Sequence, residues 1–439
     1  MNLSDLCDMV LERVGSRALV EVAAREGRYA LTRFANSAIH QNVAEDSRSV
    51  RLRVVSDGRQ AAASTNRLDE VGISRLVEGA LEAAGLRPPD PDWPGLAPAA
   101  PVGSVDRYDE ETRAAAPQAR ADVVSDFVTA GSELSAAGYC DTGGSDVFFA
   151  NSAGQRAAAS YSHAAIDGIQ RATTADGCGW QTAGRLSELD GTIAGAIAAA
   201  AARAGDADPT DLEPGEYEVV LGPRCVADIA GFLGAYGFNA KAHAERRSFV
   251  QLGEQQFDPA LRLSDDVFDN RALGVPFDAE GTPKSRVELV RAGVAQKLLH
   301  DRRTARLAGT ESTGHAVVGG ESYGPMAGNL FLEGREPCPI DELVGGVERG
   351  LLVSDFWYTR VIDPKTLVVT GLTRNGTFLI ENGAVIRPVS NLRFTQSYAG
   401  ALAPGGVVGT GDDGRLVDSS TFVPSLRLAA WRFTGGARG

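Results

Sequence analysis

The sequence predicts an α+β protein of several domains, with two N-terminal α+β units followed by a β-rich C-terminal domain. Short runs of alternating apolar and polar residues recur between 18 and 64 and again between 139 and 182, each group followed by a helical pattern. Two stretches rich in Pro and Asp, residues 87–102 (RPPDPDWPGLAPAAPV) and 206–216 (DADPTDLEPGE), interrupt the periodicity as linkers do. Beyond the second linker the chain becomes richer in strands, Gly and turns. The predicted regions are therefore 1–87, 103–205 and 214–439, within the two to four domains expected of 439 residues at roughly 100–200 residues each.

In chain order, residues 3–14 carry apolar side chains at helical spacing, with Ser4 placed to cap them. Strands are expected at 18–24, 29–34, 38–43, 50–55 and 60–64, with Asp57-Gly58 as a hairpin turn before the last. A helix follows at 69–84, ended by Gly85. After the first linker come a long helix at 109–134, strands around Tyr139 and at 147–150, 156–161, 164–171 and 177–182, and an alanine-rich helix at 190–204. Phe34-Ala35-Asn36-Ser37 is repeated as Phe149-Ala150-Asn151-Ser152, which duplication and similar strand-turn demands explain about equally well. In the third region, 217–221 reads as a strand, 224–234 as a helix, and 366–370, 377–381 and 384–388 as strands, the last two flanking Asn382-Gly383.

Composition narrows the function. Hydrophobic content of 43% with 23% charged residues suits a globular protein that buries a core, and a net charge of −14 disfavours a direct nucleic-acid partner. The five cysteines are scattered without a CxxC pair, so neither a disulfide framework nor a cysteine zinc knuckle is indicated. The first residues lack a basic segment followed by an apolar core, and the small-apolar run at 192–202 is too short for a bilayer. The expected setting is a reduced cytoplasm, with no membrane partner. No nucleotide-binding GxGxxG follows a strand, and there is no P-loop.

The stretch 264–316 concentrates carboxylates in turns. Asp265-Asp266 precedes Gly274-Val275-Pro276-Phe277, an apolar anchor. Asp278, Glu280, Gly281, Thr282 and Pro283 follow in a tight turn. Residues 286–290 alternate as a half-buried strand, 294–307 read more like a short helix, and Ser312-Thr313-Gly314-His315 closes the stretch. These turns either cap a sheet or bind a ligand, and capping is the favoured reading.

The order of these pieces resembles the TldD/PmbA family. The matching residues are Asp265-Asp266; Pro276-Phe277-Asp278 with Glu280-Gly281 and Pro283; Leu299 and Asp301 with Thr304-Ala305; and Ser312-Thr313-Gly314 with Ala316. Phe34-Ala35-Asn36-Ser37, the run RLRVVSDG at 51–58, Asn329-Leu330 and Asn391-Leu392 extend the likeness over nearly the whole chain. The resemblance implies a heterodimeric zinc peptidase in which a TldD-type subunit bearing HExxxH pairs with a TldE/PmbA-type subunit. It also implies extended peptide as substrate, including peptide precursors and antitoxins. Two histidines five apart diverge by about 140° on a regular α-helix, so HExxxH implies a local distortion. Counting back from Arg246-Arg247-Ser248-Phe249, that motif should fall on Gly231-Phe232-Leu233-Gly234-Ala235-Tyr236, and the family's C-terminal cysteine falls where residues 409–414 read GTGDDG. The resemblance thus places this chain with the subunit that carries no zinc, leaving the metal to a TldD-like partner. No catalytic residue, metal ligand or cofactor is assigned to this chain, and a homodimer in isolation is compatible with the sequence. The residues expected to meet peptide or partner are Asp278, Glu280, Gly281, Thr282, Ser312, Thr313 and His315. The alternatives left open are a stand-alone peptide- or protein-binding regulator and a hydrolase with a non-zinc site.

Overall fold

The structure is a computed structural model and describes residues 1–436. Its first unit is a meander of β1 (Leu19–Ala35), β2 (Ala38–Ser56) and β3 (Arg59–Thr65), flanked by helices α1 (Leu3–Val14) and α2 (Glu70–Gly85). Asn2, not Ser4, caps α1, its side chain accepting the Asp5 amide at 2.8 Å. Four strands were expected where two long ones form. The polar segments 25–28 and 44–49 fall between the expected strands, but both remain laddered, with Gly27 opposite Ser47 and Arg28 opposite Asp46. Side-chain polarity does not break a strand whose backbone groups are paired. Asp57 and Gly58 do turn, with φ of 51° and 73°.

The second unit repeats this plan. Short helix α3 (Glu110–Arg113) and helix α4 (Pro117–Thr129) precede β4 (Ser135–Asn151), β5 (Arg156–Arg171) and β6 (Asp176–Ala183), and α5 (Gly191–Gly205) closes it. The single helix expected over 109–134 is split. Pro117 has no amide proton and holds Ala116 extended at ψ 155°, so a new helix starts there instead of continuing α3.

The two units share one sheet. β1 pairs with β4 from Glu21–Asn151 to Phe34–Gly138, giving the order β3-β2-β1-β4-β5-β6. The repeated tetrapeptides end at the β1–β2 and β4–β5 turns, equivalent places in the two meanders. One face is covered by helices. α1 and α2 close over Val20, Val22, Leu52 and Val54, while α4 and α5 close over Phe34, Cys140 and Ile166. The opposite face turns to the third region, where Phe149 and Ala157 pack on Phe277.

In the third region, β7 (Gly215–Leu221) leads into α6 (Pro223–Phe232) and α7 (Ala240–Ala244). β8 (Arg262–Asp265), β9 (Val287–Arg291) and β10 (Val294–Ala295) follow, then α8 (Arg302–Ala308) and β11 (Leu330–Glu333). The remaining strands are β12 (Arg349–Asp363), β13 (Val368–Glu381), β14 (Ala384–Pro388), β15 (Leu392–Ser397), β16 (Val407–Thr410), β17 (Arg415–Val417), β18 (Thr421–Val423) and β19 (Leu426–Gly436). The order β12-β7-β19-β15-β13, with β13 pairing back to β12, closes a barrel, and β10-β9-β8-β11-β18-β17 forms a second sheet. Trp431, Phe394 and Tyr398 are fully buried in the core that joins them. The helix expected over 294–307 starts only at Arg302. Ala292 and Gly293, at φ 45° and 78°, turn the chain into β10 first, and Asp301 caps α8 by accepting the Thr304 amide at 2.7 Å.

Residues 87–102 have almost no regular structure, yet the fold holds them down. Arg302 donates to Leu96 O at 2.9 Å, Arg303 pairs with Asp90 and Arg306 reaches Trp93 O. On the other side Asn151 Nδ2 donates to Ala97 O at 2.8 Å and the Ala100 amide donates to Gln155 at 2.8 Å. The segment is thus a strap between the N-terminal sheet and the third region. Among the described residues no helix is long and apolar enough to cross a membrane.

Candidate functional site at the domain junction

The carboxylate turn singled out from sequence lies where the third region meets the sheet. Asp278 is buried, and its oxygens accept the amides of Glu280 and Thr282 at 2.9 Å and of Ala316 at 3.0 Å. It fastens the 278–282 turn to the 312–316 segment. Burial and the neighbouring Glu280 charge push its carboxyl up to about 7 against those three amides. Gly281 has φ +73°, and a Cβ there would lie 2.2 Å from the Phe149 ring, so only glycine lets the turn approach the sheet this closely. Its carbonyl accepts from Gln155 Nε2 at 2.7 Å. The Thr282 hydroxyl is buried without a partner.

Glu280 is drawn into a buried ion cluster. Arg53 of β2 binds Glu21 of β1 through Nε at 2.6 Å and approaches Glu280 at 3.4 Å, with the three side chains 10%, 3% and 13% exposed. Glu280 also accepts the Arg302 amide at 3.2 Å. Burial raises the Glu21 carboxyl to about 7, Arg53 opposing and Glu280 reinforcing the shift. Neither Glu21 nor Arg53 was singled out from sequence. The available signal was Arg51 and Arg53 at alternate positions of a strand whose other face, Leu52 and Val54, is apolar.

Ser312, Thr313 and His315 gather on His300 and Asp265. Ser312 Oγ donates to His300 O at 3.1 Å, and Thr313 Oγ1 accepts the His300 amide at 2.8 Å. Thr313 Oγ1 also lies 2.9 Å from His315 Nδ1, while His315 Nε2 lies 3.1 Å from Asp265. Asp265 accepts the Gly328 and Asn329 amides at 2.7 and 2.9 Å. Burial favours its neutral form, but His315, Lys284 and the Asn329 amide outweigh burial and hold the carboxyl below its ordinary range. This Asp–His–Thr chain has the order of a hydrolase triad. However, His315 and Asp265 are each 1% exposed and Thr313 is tied to the His300 main chain, so the chain fastens loops together rather than presenting a nucleophile.

A second ion cluster joins the other half of the sheet to the third region. Arg224 of α6 pairs with Asp167 of β5, lies 3.6 Å from Asp355 of β12 and stacks over Trp180 of β6 at 4.9 Å. Burial pushes the Asp355 carboxyl up to about 6 despite Arg224. One turn further along α6, Asp228 accepts from Tyr398 at 2.7 Å and Thr359 at 2.8 Å, and burial raises its carboxyl.

The position at which the sequence places the HExxxH segment has unusual geometry. α6 ends at Phe232 and passes into a π-turn, Leu233–Gly237, in which the Phe238 amide bonds Leu233 O at 2.9 Å. Such a turn brings residues five apart closer to one face than a regular helix does. The side chains here are apolar, with Phe232 stacked on Tyr236 at 5.8 Å and set edge-on to Tyr398 at 5.9 Å. No imidazole, thiol or carboxylate projects from 231–236, so the segment does not fit a zinc ion. Among the described residues no group of three or more His, Cys, Asp or Glu side chains is placed to hold a metal.

Comparisons with known proteins agree with this architecture. Residues 214–435 match the PmbA/TldA metallopeptidase C-terminal domain, and residues 20–84 match PmbA/TldA metallopeptidase domain 1. A metalloprotease TldD homologue of Buchnera aphidicola is 24% identical over 238 residues, which are 49% of this chain and 47% of the relative. The chain thus spans about half the length of that curated relative. Among solved structures, TldE from Thermococcus kodakarensis superposes with a TM-score of 0.88 at 17% identity, covering 98% of this chain and 99% of that one. A candidate modulator of DNA gyrase from Thermotoga maritima gives 0.84 at 19% identity over 99% and 100%. At these identities the two structures establish a shared fold.

Proposed function

Because this chain belongs to the PmbA/TldD metallopeptidase family, we propose that it is the zinc-free, TldE/PmbA-type subunit of a cytoplasmic two-subunit peptidase. It pairs with a TldD-like chain that carries HExxxH, completes the chamber and holds extended peptide, such as a peptide precursor or an antitoxin, for the partner's zinc. The observation that supports this most is the π-turn at Leu233–Gly237, which keeps a distorted helix where the sequence places the ligand motif but fills it with Phe232 and Tyr236. Pairing is also supported by β12, which exposes Trp357 and Tyr358 at 51% and 66% beside Ile362. Arg374 lies over the Trp357 ring at 4.2 Å and Arg360 over the Tyr358 ring at 4.4 Å, and such half-exposed aromatic and Arg side chains on a barrel wall suit an obligate interface, which commonly buries more than about 2,000 Å².

The test is reconstitution. The purified chain should contain no stoichiometric zinc and leave peptides uncut. Mixed with an HExxxH-bearing relative from the same source, it should give a heterodimer by size-exclusion with light scattering and a large gain in peptide cleavage. Trp357→Ala with Tyr358→Ala should weaken that complex. If the two chains stay separate while the relative cleaves at full rate alone, the reading fails, and a stand-alone binding role takes its place.

A further inference from the structure

A cleft of ≈ 630 Å³ opens between the outer edge of the N-terminal sheet and the 318–322 segment, continuous at Arg51, Arg53 and Gln60 with a small recess over Trp93 and Glu280. One wall is β3, the last strand of its sheet, whose outer edge pairs with no other strand among the described residues. Such an edge offers unpaired main-chain groups to an extended chain.

The polar groups lining this cleft are incompletely matched. Arg51 is half-buried beside Arg53, and among the described residues it has no carboxylate within ion-pair distance and donates no hydrogen bond. Its neighbours do have partners: Arg53 holds Glu21 and Glu280, and Arg303 holds Asp90. Two further buried atoms of the recess lack partners, the donor Trp93 Nε1 and the acceptor Gln60 Oε1, although Gln60 Nε2 donates to Asp90 at 2.6 Å. A half-buried guanidinium and a buried indole N–H call for an acceptor, and a buried amide oxygen calls for a donor. A peptide's main-chain N–H together with a carboxylate supplies both. An acid of the rim, Glu321, is half-exposed and 3.9 Å from Arg53, and it stands on a single helical turn between Gly319 and Gly324, both at positive φ. It competes for the same guanidinium pair without saturating it.

We infer that this cleft is an anchoring site for an extended peptide carrying a carboxylate, with Arg51 as the binding group and β3 as the pairing edge. The inference rests on the peptide-holding reading for the identity of the ligand and on the cleft alone for the site. The carboxylate is either a free chain terminus or an acidic side chain.

Fluorescence anisotropy on the full isolated chain separates these sources and needs no zinc-bearing partner. Three fluorescein-labelled probes are used: a penta-alanine acid, its C-terminal amide, and the amide with one internal aspartate. The acid binding about tenfold or more tightly than both amides assigns the chain terminus, the aspartate amide binding about tenfold or more tightly than the other two assigns the side chain, and both binding more tightly than the plain amide means that the site takes either carboxylate. In each case Arg51→Ala should remove that preference, Arg51→Lys should keep part of it, and Glu321→Gln should tighten the charged probe. Circular dichroism melts confirm that the variants are folded, and Glu321→Gln, on an exposed rim, tests the site without disturbing the sheet. Equal binding of all three probes, no binding below millimolar, or an Arg51→Ala protein that still prefers the carboxylate would overturn the inference. Reconstituted cleavage with the relative could still succeed in that event, which separates failure of the anchor from failure of the subunit reading.

Discussion

The two N-terminal units have the same meander and the same helix cover, yet they meet the third region with opposite charge arrangements. The first unit contributes its own cation, Arg53, already held by Glu21, and receives Glu280 from the carboxylate turn. The second contributes an anion, Asp167, and receives Arg224, which Asp355 holds from the barrel side and Trp180 covers. Exposure differs as well. The first cluster is 3–13% exposed, whereas Arg224, Asp355 and Asp167 are 18%, 17% and 30% exposed. A repeated supersecondary unit therefore does not dictate a repeated interface. Which side supplies the cation is settled by single residues, Arg53 on the β2 face opposite the helices and Arg224 on α6. How tightly each junction locks depends on how far water is excluded.

That comparison can be broken most sharply at Arg53. Arg53→Ala leaves Glu21 and Glu280 facing each other in a nearly dry site, and stability should fall by about 3–5 kcal/mol. Urea unfolding followed by circular dichroism measures it, and adding Glu21→Gln to the same protein should recover part of the loss. If Arg53→Ala were nearly neutral, the first junction would not be a locked one.

Arg224→Ala should be milder, about 1–2 kcal/mol, because water screens the partly exposed Asp167 and Asp355 that remain. Loss of the guanidinium from the Trp180 face should also change the tryptophan emission. A loss as large as that of Arg53→Ala would remove the proposed difference between the junctions.

The most gradual effect is a pH slope. Glu21 is raised from 4.5 to about 7 and Asp355 from 3.8 to about 6. Each folded carboxyl binds its proton more tightly than the unfolded one. The stability this provides is complete below the unfolded value and is lost as pH rises through the folded value. Stability should therefore decline between about pH 4.5 and 7 for the first junction and between about pH 4 and 6 for the second. Glu21→Gln should remove the Glu21 share of that decline and leave the shares of Asp355 and of Asp278, whose carboxyl is also raised to about 7. Chemical denaturation at half-unit pH steps separates the two windows, and an unchanged slope in Glu21→Gln would assign the titration elsewhere.

Much of this molecule was legible in the chain. The helix positions at 3–14, 69–84 and 190–204, the Asp57-Gly58 and Asn382-Gly383 turns, and the strand-rich character past residue 214 follow from local patterns, because caps, turns and periodicity act within a few residues. The turn-forming role of Asp278 was legible too, since Asp, Gly and Pro at that spacing demand a tight turn. The lengths of β1, β2 and β4 were not, because polar stretches such as 25–28 stay extended only when a partner strand supplies their hydrogen bonds. Nor was the fusion of two meanders into one sheet, or the partners of Arg53, Arg224 and Arg51. Those depend on which surfaces come together across more than a hundred residues of chain. By itself the sequence determined the local elements and the lack of ligand side chains at 231–236. Only the tertiary structure decided which charges were buried together and which guanidinium was left facing a cleft, because burial and pairing are properties of packed surfaces and not of neighbours in sequence.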